Sequence, residues 1–200
     1  MVLKKRVTGL VLAGVLATAA IAPMGLTASA ASNGDVEVQY IGGALTPDGS
    51  DGTYYITIPS NVLFSGAGDE HDMTVKLHRT DVTKKLREDL AVTVDVYSEN
   101  AYKLKAAGQS AEGSYELVYT GTGATNADTV LANTSTGTAS ADNGAEVGVL
   151  TPDSNKNVTT DQNSEVGSIK GTATMKDEPA VDVPGTAFKD KLTYYVTETV

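Results

Sequence analysis

Cysteine and tryptophan are both absent from the 200 residues. Without cysteine there can be no disulfide, no thiolate nucleophile or metal ligand, and no lipid attached through an N-terminal thiol. Stability must then come from packing alone. Histidine is nearly missing too, with only His71 and His78, and Gly-x-Ser-x-Gly does not occur. No Asp or Glu stands in a setting that would clearly raise its pKa for acid–base work. This inventory argues against an enzyme and asks for no cofactor. Cations are in deficit, 15 Lys and Arg against 25 Asp and Glu, for a formal net charge of −10. Such a balance repels phosphate backbones and anionic headgroups, so nucleic acid and membrane surfaces are excluded as natural partners.

Long apolar runs are scarce as well, and the principal one is N-terminal. Lys4, Lys5 and Arg6 precede an uncharged stretch over residues 7–21, and Ala28-Ser29-Ala30 follows. This is the layout of a secretory signal, with cleavage expected between Ala30 and Ala31. The apolar stretch is short and is interrupted by Gly14 and Pro23. It therefore reads as a cleaved leader and not as a retained span, leaving no stable membrane insertion. Cleavage removes three cations and no acid, taking the charge from −10 to −13 for residues 31–200. A secreted or cell-surface location follows as the expectation.

What the mature chain does have is alternation. Val36, Val38 and Tyr40 stand two apart, as do Tyr54, Ile56 and Ile58, then Met73, Val75 and Leu77. Val92, Val94 and Val96 repeat the pattern, as do Tyr115, Leu117 and Tyr119, and finally Leu192, Tyr194 and Val196. Ile169, Ala173 and Met175 lie in a Gly- and Thr-rich segment that reads the same way. Period two marks strands with one buried face, and many short strands with turn chemistry between them predict an all-β, immunoglobulin-like antiparallel sandwich over residues 31–200. Thr46-Pro47-Asp48-Gly49 and Thr151-Pro152-Asp153-Ser154 are two of those turns. Val82, Leu86 and Leu90 recur at helical spacing, so one or two helical turns compete there with an extended connector. Polar stretches near 120–146 and 155–164 are expected to be flexible loops, with Val130 and Leu131 the only large apolar side chains of the first.

Two acidic clusters, Asp48-Gly49-Ser50-Asp51 and Asp69-Glu70-His71-Asp72, carry oxygens that a calcium ion takes, but neither completes a known loop and no metal is assigned. Asn133-Thr134-Ser135 and Asn157-Val158-Thr159 match the glycosylation pattern. The exposed members of Tyr54-Tyr55 or Tyr194-Tyr195 could stack on sugar rings, which keeps a carbohydrate-binding module open.

Thr57-Ile58-Pro59-Ser60, Leu90-Ala91-Val92-Thr93-Val94 and Gly171-Thr172-Ala173-Thr174 follow the signal in order. The stretch Gly185-Thr186-Ala187-Phe188-Lys189-Asp190-Lys191-Leu192-Thr193-Tyr194-Tyr195-Val196 comes last. The series resembles small exported Gram-positive surface β-sandwich proteins and is similar to WxL-type and pilin-like immunoglobulin-fold domains, although no Trp-x-Leu signature is present. The resemblance implies a non-catalytic structural or adhesive role at the cell surface, with an extracellular or cell-surface macromolecule, or the chain itself, as partner. A filament subunit is the second expectation: Val36, Val38 and Tyr40 would form a donor strand added to a neighbouring sandwich.

Overall fold

The computed structural model describes residues 54–59, 62–133, 140–160, 162–180 and 187–199. The expected leader with Ala30 and Ala31, the strand of Val36, Val38 and Tyr40, and the acidic cluster Asp48 to Asp51 lie outside the described residues.

Among the described residues nine strands form: β1 (Tyr54–Thr57), β2 (Glu70–Asp72), β3 (Val75–Arg79), β4 (Ala91–Ser98), β5 (Lys103–Leu104), β6 (Gly113–Thr120), β7 (Ala145–Leu150), β8 (Glu165–Asp177) and β9 (Leu192–Thr199). One 3-10 turn, Ala141–Asn143, is the only helical piece among the described residues. The strands divide into two antiparallel sheets. The larger runs β1-β3-β8-β6-β5, with β2 also on β8, and the smaller runs β7-β4-β9. The fold is thus an all-β sandwich, and the alternating residues of β3, β4, β6 and β9 line its inner faces. Val75 and Leu77 of β3, Val92, Val94 and Val96 of β4, Leu117 and Tyr119 of β6, and Tyr194 of β9 are all buried in one core. Each such side chain contributes about 1.5–3 kcal/mol of burial free energy, which is how a chain without disulfides holds together.

β8 organises the larger sheet. Its first half pairs with β3 (Val75↔Ile169), while its second half pairs with β2 on the same edge (Asp72↔Thr172) and with β6 on the other (Leu117↔Ala173). Gly171 lies where a side chain could not: a Cβ there would sit 2.5 Å from the Tyr119 ring and 2.7 Å from the Met73 carbonyl oxygen. The two sheets are also joined through polar groups, since the Tyr119 hydroxyl of β6 meets the Tyr194 hydroxyl of β9 at 2.9 Å inside the core.

Residues 82–90 form turns and an extended connector, with Leu86 and Leu90 buried, so the competing reading of that stretch is the one observed. Asn157 supplies the reason. Its Oδ1 accepts from the Leu86 N–H at 2.9 Å and its Nδ2 donates to the Leu86 carbonyl at 2.8 Å. Both backbone groups that a helix would use are thereby taken.

Parts of the stretch near 120–146 are tied to the sheets by backbone hydrogen bonds. Leu131 is buried and its N–H donates to the Leu117 carbonyl at 2.9 Å, whereas Val130 stays exposed. The Val149 N–H donates to the Gly123 carbonyl at 2.8 Å, and the Thr125 N–H to the Val147 carbonyl at 3.2 Å. Residues 121–125 thus tie β6 of the larger sheet to β7 of the smaller. β7 itself has no clean period of two, because Val147 and Gly148 are both buried beside a register shift at Val94/Asp95.

Candidate functional site

Three kinds of feature could carry function: an open sheet edge, buried polar groups, and exposed aromatic or acidic groups. The edge is at β9. Glu99 N–H donates to the Lys191 carbonyl at 2.9 Å, which sets the phase of the β4–β9 ladder. In an antiparallel pair the hydrogen-bonded residues then recur every second position, so Thr193, Tyr195 and Thr197 face β4. Leu192, Tyr194, Val196 and Glu198 direct their N–H and C=O groups away from it. β9 ends the smaller sheet and β1 ends the larger one. The two ends are drawn together by Glu198, whose Oε2 accepts from the Tyr54 hydroxyl at 3.1 Å and whose Oε1 pairs with Arg87 Nη2 at 3.2 Å. Among the described residues, this side of the sandwich is a seam between the end strands of the two sheets.

The buried polar groups form two knots. In the first, Asp190, 4% exposed, accepts from Ser98 Oγ (2.6 Å), the Tyr115 hydroxyl (2.6 Å), and the backbone N–H groups of Asn100 (2.9 Å) and Lys191 (2.8 Å). Burial pushes its carboxyl above the usual carboxylate range, against the pull of the four donors, which lower it. Ala101 and Tyr102, at φ of 54° and 60°, make the left-handed corner that brings the Tyr102 ring edge-on to Tyr115. Two consecutive non-glycine residues in that region are strained, each by roughly 1–2 kcal/mol. The corner is held by the Tyr102 N–H donating to Ser98 Oγ.

In the second knot Arg79, 1% exposed, donates from Nη1 to the Val158 carbonyl at 2.9 Å and from Nη2 to the Asn163 carbonyl at 2.7 Å. Asn157, 4% exposed, adds its two bonds to Leu86. The polar stretch 155–164 is therefore fastened by the Arg79 guanidinium and by its own Asn157 amide. Asn157→Ala should destabilise the fold by about 2 kcal/mol, since it orphans two buried backbone groups. Urea denaturation measures this, and a change below about 0.5 kcal/mol would contradict it.

The same geometry bears on the glycosylation pattern. Asn133 Nδ2 donates to the Ser98 carbonyl at 2.6 Å and its Oδ1 accepts from the Ser98 N–H at 3.0 Å. Both candidate asparagines are thus occupied as backbone clamps.

The second acidic cluster turns its carboxylates on itself. Asp69 Oδ2 accepts from the Ser65 N–H (2.8 Å), Ser65 Oγ (2.9 Å) and His71 Nε2 (3.2 Å), and the Ser65 bonds hold its carboxyl below the usual range. Asp72 Oδ1 accepts from the Thr74 N–H at 2.9 Å and from the Thr74 hydroxyl, which lowers it likewise. Among the described residues no three acidic or histidine side chains converge on a point that could hold a metal ion.

The tyrosines separate. Tyr194 is in the core, Tyr54 is half-buried on Glu198 and Tyr195 is half-buried. Tyr55 is 44% exposed, with its ring stacked on His78 at a centroid distance of 4.7 Å and 6° between the planes. His78 is half-buried behind that ring, while His71 packs edge-on against Phe64. Asp190, Arg79 and Asn157 escape a sequence reading because their partners lie about 70 to 90 positions away and leave no local pattern. Compared with known family models, curated proteins and solved structures, the chain matches none of them.

Proposed function

We propose that the chain is an exported, non-catalytic module of the cell exterior that works as a structural or adhesive protein, secreted or held at the surface. The observation that carries this reading is the commitment of its reactive side chains to the scaffold. Asp190, Asp69, Asp72 and Arg79 each spend their hydrogen-bonding capacity on neighbouring turns and strand ends. A carboxylate or guanidinium used in that way stiffens a frame and is not free to move protons on a substrate. The leader-like segment 1–30 supports export. The order β1-β3-β8-β6, beside a pair β4-β9 in the second sheet, supports an immunoglobulin-like sandwich of the kind found in Gram-positive surface and pilin-like domains. Its partner is then an extracellular or cell-surface macromolecule. Fractionating cells tests the reading: the mature chain, beginning at Ala31, is expected in the medium or wall fraction. Recovery from the cytoplasm with residues 1–30 still attached would overturn it.

The β9 edge favours a second reading, a filament subunit that assembles by strand donation. An edge that presents outward amides of Leu192, Tyr194, Val196 and Glu198 is a template for an added strand. Val36, Val38 and Tyr40 have the spacing to fill alternate pockets along it. Deleting residues 35–40 should abolish concentration-dependent polymers of the mature chain, as read by size-exclusion chromatography. A mature chain that stays monomeric at all concentrations, with the Val36 amide protected from hydrogen exchange, would overturn strand donation.

A further inference from the structure

Tyr55 is a large aromatic side chain that stays exposed on the sandwich. It lies on β1, the edge strand of the larger sheet, directly opposite His78 of β3. Here the ring stands parallel to the imidazole, 6° from coplanar. One ring face is covered by His78, and the residue is still 44% exposed. His78 is braced from behind, with Nδ1 at 3.2 Å from Ser164 Oγ. Burial lowers its pKa, so the imidazole stays neutral at pH 7 and serves as a flat backing.

The surroundings define what would suit the exposed ring. Register places Thr57 beside Lys76, Lys76 beside Ser168, and His78 beside Glu165, so these side chains share the outer face of the sheet with Tyr55. Thr57 and Ser168 are exposed hydroxyls. Glu165 is neutralised within the face, 3.2 Å from Lys76 Nζ and 3.6 Å from Lys156 Nζ. A cationic ligand is repelled here by Lys76, Lys156 and Lys170, and an anionic one meets a protein of net charge −10. An apolar partner would bury hydroxyls and ion pairs without return. A neutral ring with a C–H face and a rim of hydroxyls matches both the aromatic plate and its polar border.

We infer that the Tyr55–His78 pair is a stacking platform for a neutral sugar ring, with Thr57, Ser168 and Glu165 placed to receive its hydroxyls. The inference rests on the adhesive reading and names the class of ligand through which adhesion would act. Cellohexaose and chitohexaose are suitable probes, because their equatorial substituents leave the C–H face of each ring flat. Titrating either into the mature chain and following heat or tyrosine resonances is expected to give saturable binding. Tyr55→Ala should weaken it about tenfold, the worth of one aromatic stack, while Tyr55→Phe should retain it. An unchanged melting temperature in Tyr55→Ala ensures that the loss is local. Absence of saturable binding to both probes at millimolar concentration, or equal binding by Tyr55→Ala, would overturn the platform. Recovery of that same non-binding protein from the cell surface would leave the structural and adhesive reading in place.

Discussion

Replacing Gly148 by valine is expected to abolish the cooperative thermal transition of the sandwich. Gly148 sits in β7 at φ 149°, where the backbone passes the turn after β6. A Cβ at this point would lie 1.9 Å from the Gly123 carbonyl oxygen and 2.8 Å from Ala124 Cα. Both obstacles are main chain, so no rotamer change relieves the collision. Nor can the turn retreat cheaply, because Gly123 O and Thr125 N are hydrogen-bonded to Val149 and Val147 on either side of Gly148. Strain and lost bonds together should cost at least about 3–5 kcal/mol, a large part of the roughly 5–15 kcal/mol that holds a domain folded. Gly68→Ala is the contrasting control. Gly68 also has a positive φ, 84°, but nothing lies within 4 Å of the added methyl, so the cost should be only about 1 kcal/mol of backbone strain. Circular dichroism melts of both variants decide the matter, and a Gly148→Val midpoint within about 3 °C of the parent would contradict the expectation.

The second large effect is expected at Asp190. Truncation to alanine removes the acceptor shared by Ser98, Tyr115, Asn100 and Lys191 and leaves buried donors unpaired. About 3–5 kcal/mol of stability should go with it. Asparagine, which keeps one oxygen, should cost less and also reveals the pH dependence. Burial raises the Asp190 pKa in the folded chain, while the unfolded value is near 4. The folded state therefore binds the proton more tightly. This residue's contribution is fully present below the unfolded pKa and declines as pH rises through the folded one. Asp69 and Asp72 have lowered values and act in the opposite sense, losing their contribution as pH falls. Subtracting the Asp190→Asn profile from the parent profile cancels those carboxylates. The stability advantage of the parent over Asp190→Asn should shrink as pH rises from about 4. A difference independent of pH would show that Asp190 titrates as it does in the unfolded chain.

Both substitutions probe features that local pattern reading passes over. The buried faces of β3, β4, β6 and β9 were legible because period two is a property of a few adjacent residues: Val92, Val94 and Val96 announce their strand unaided. β7 was not, since Val147 and Gly148 face inward in succession at a bulge and break the alternation. Val82, Leu86 and Leu90 show the converse, a helical spacing without a helix, because Asn157, 71 positions from Leu86, occupies its backbone groups. The candidate site divides in the same manner. Tyr55 was visible as an aromatic in an alternating strand, but its stacking depends on His78 across the ladder. Asp190 stood within a recognisable strand-entry motif, yet its burial follows from four donors contributed by three separate parts of the chain.

The central place of β8, and the pairing of β4 with β9, also govern when this chain can fold. Val75 of β3 waits for Ile169 and Ala91 of β4 waits for Thr199, so the early strands have no long partners until the late ones exist. Loop closure over about a hundred residues must come before those ladders repay it, which makes folding slow. During synthesis the described strands of the first half have only the short β1–β3 ladder between them, and β4 has no partner until β7 and β9 are made. For a polypeptide proposed to cross a membrane, that delay is useful: a translocation channel accepts a thread, and the last strand to emerge closes the sandwich on the far side.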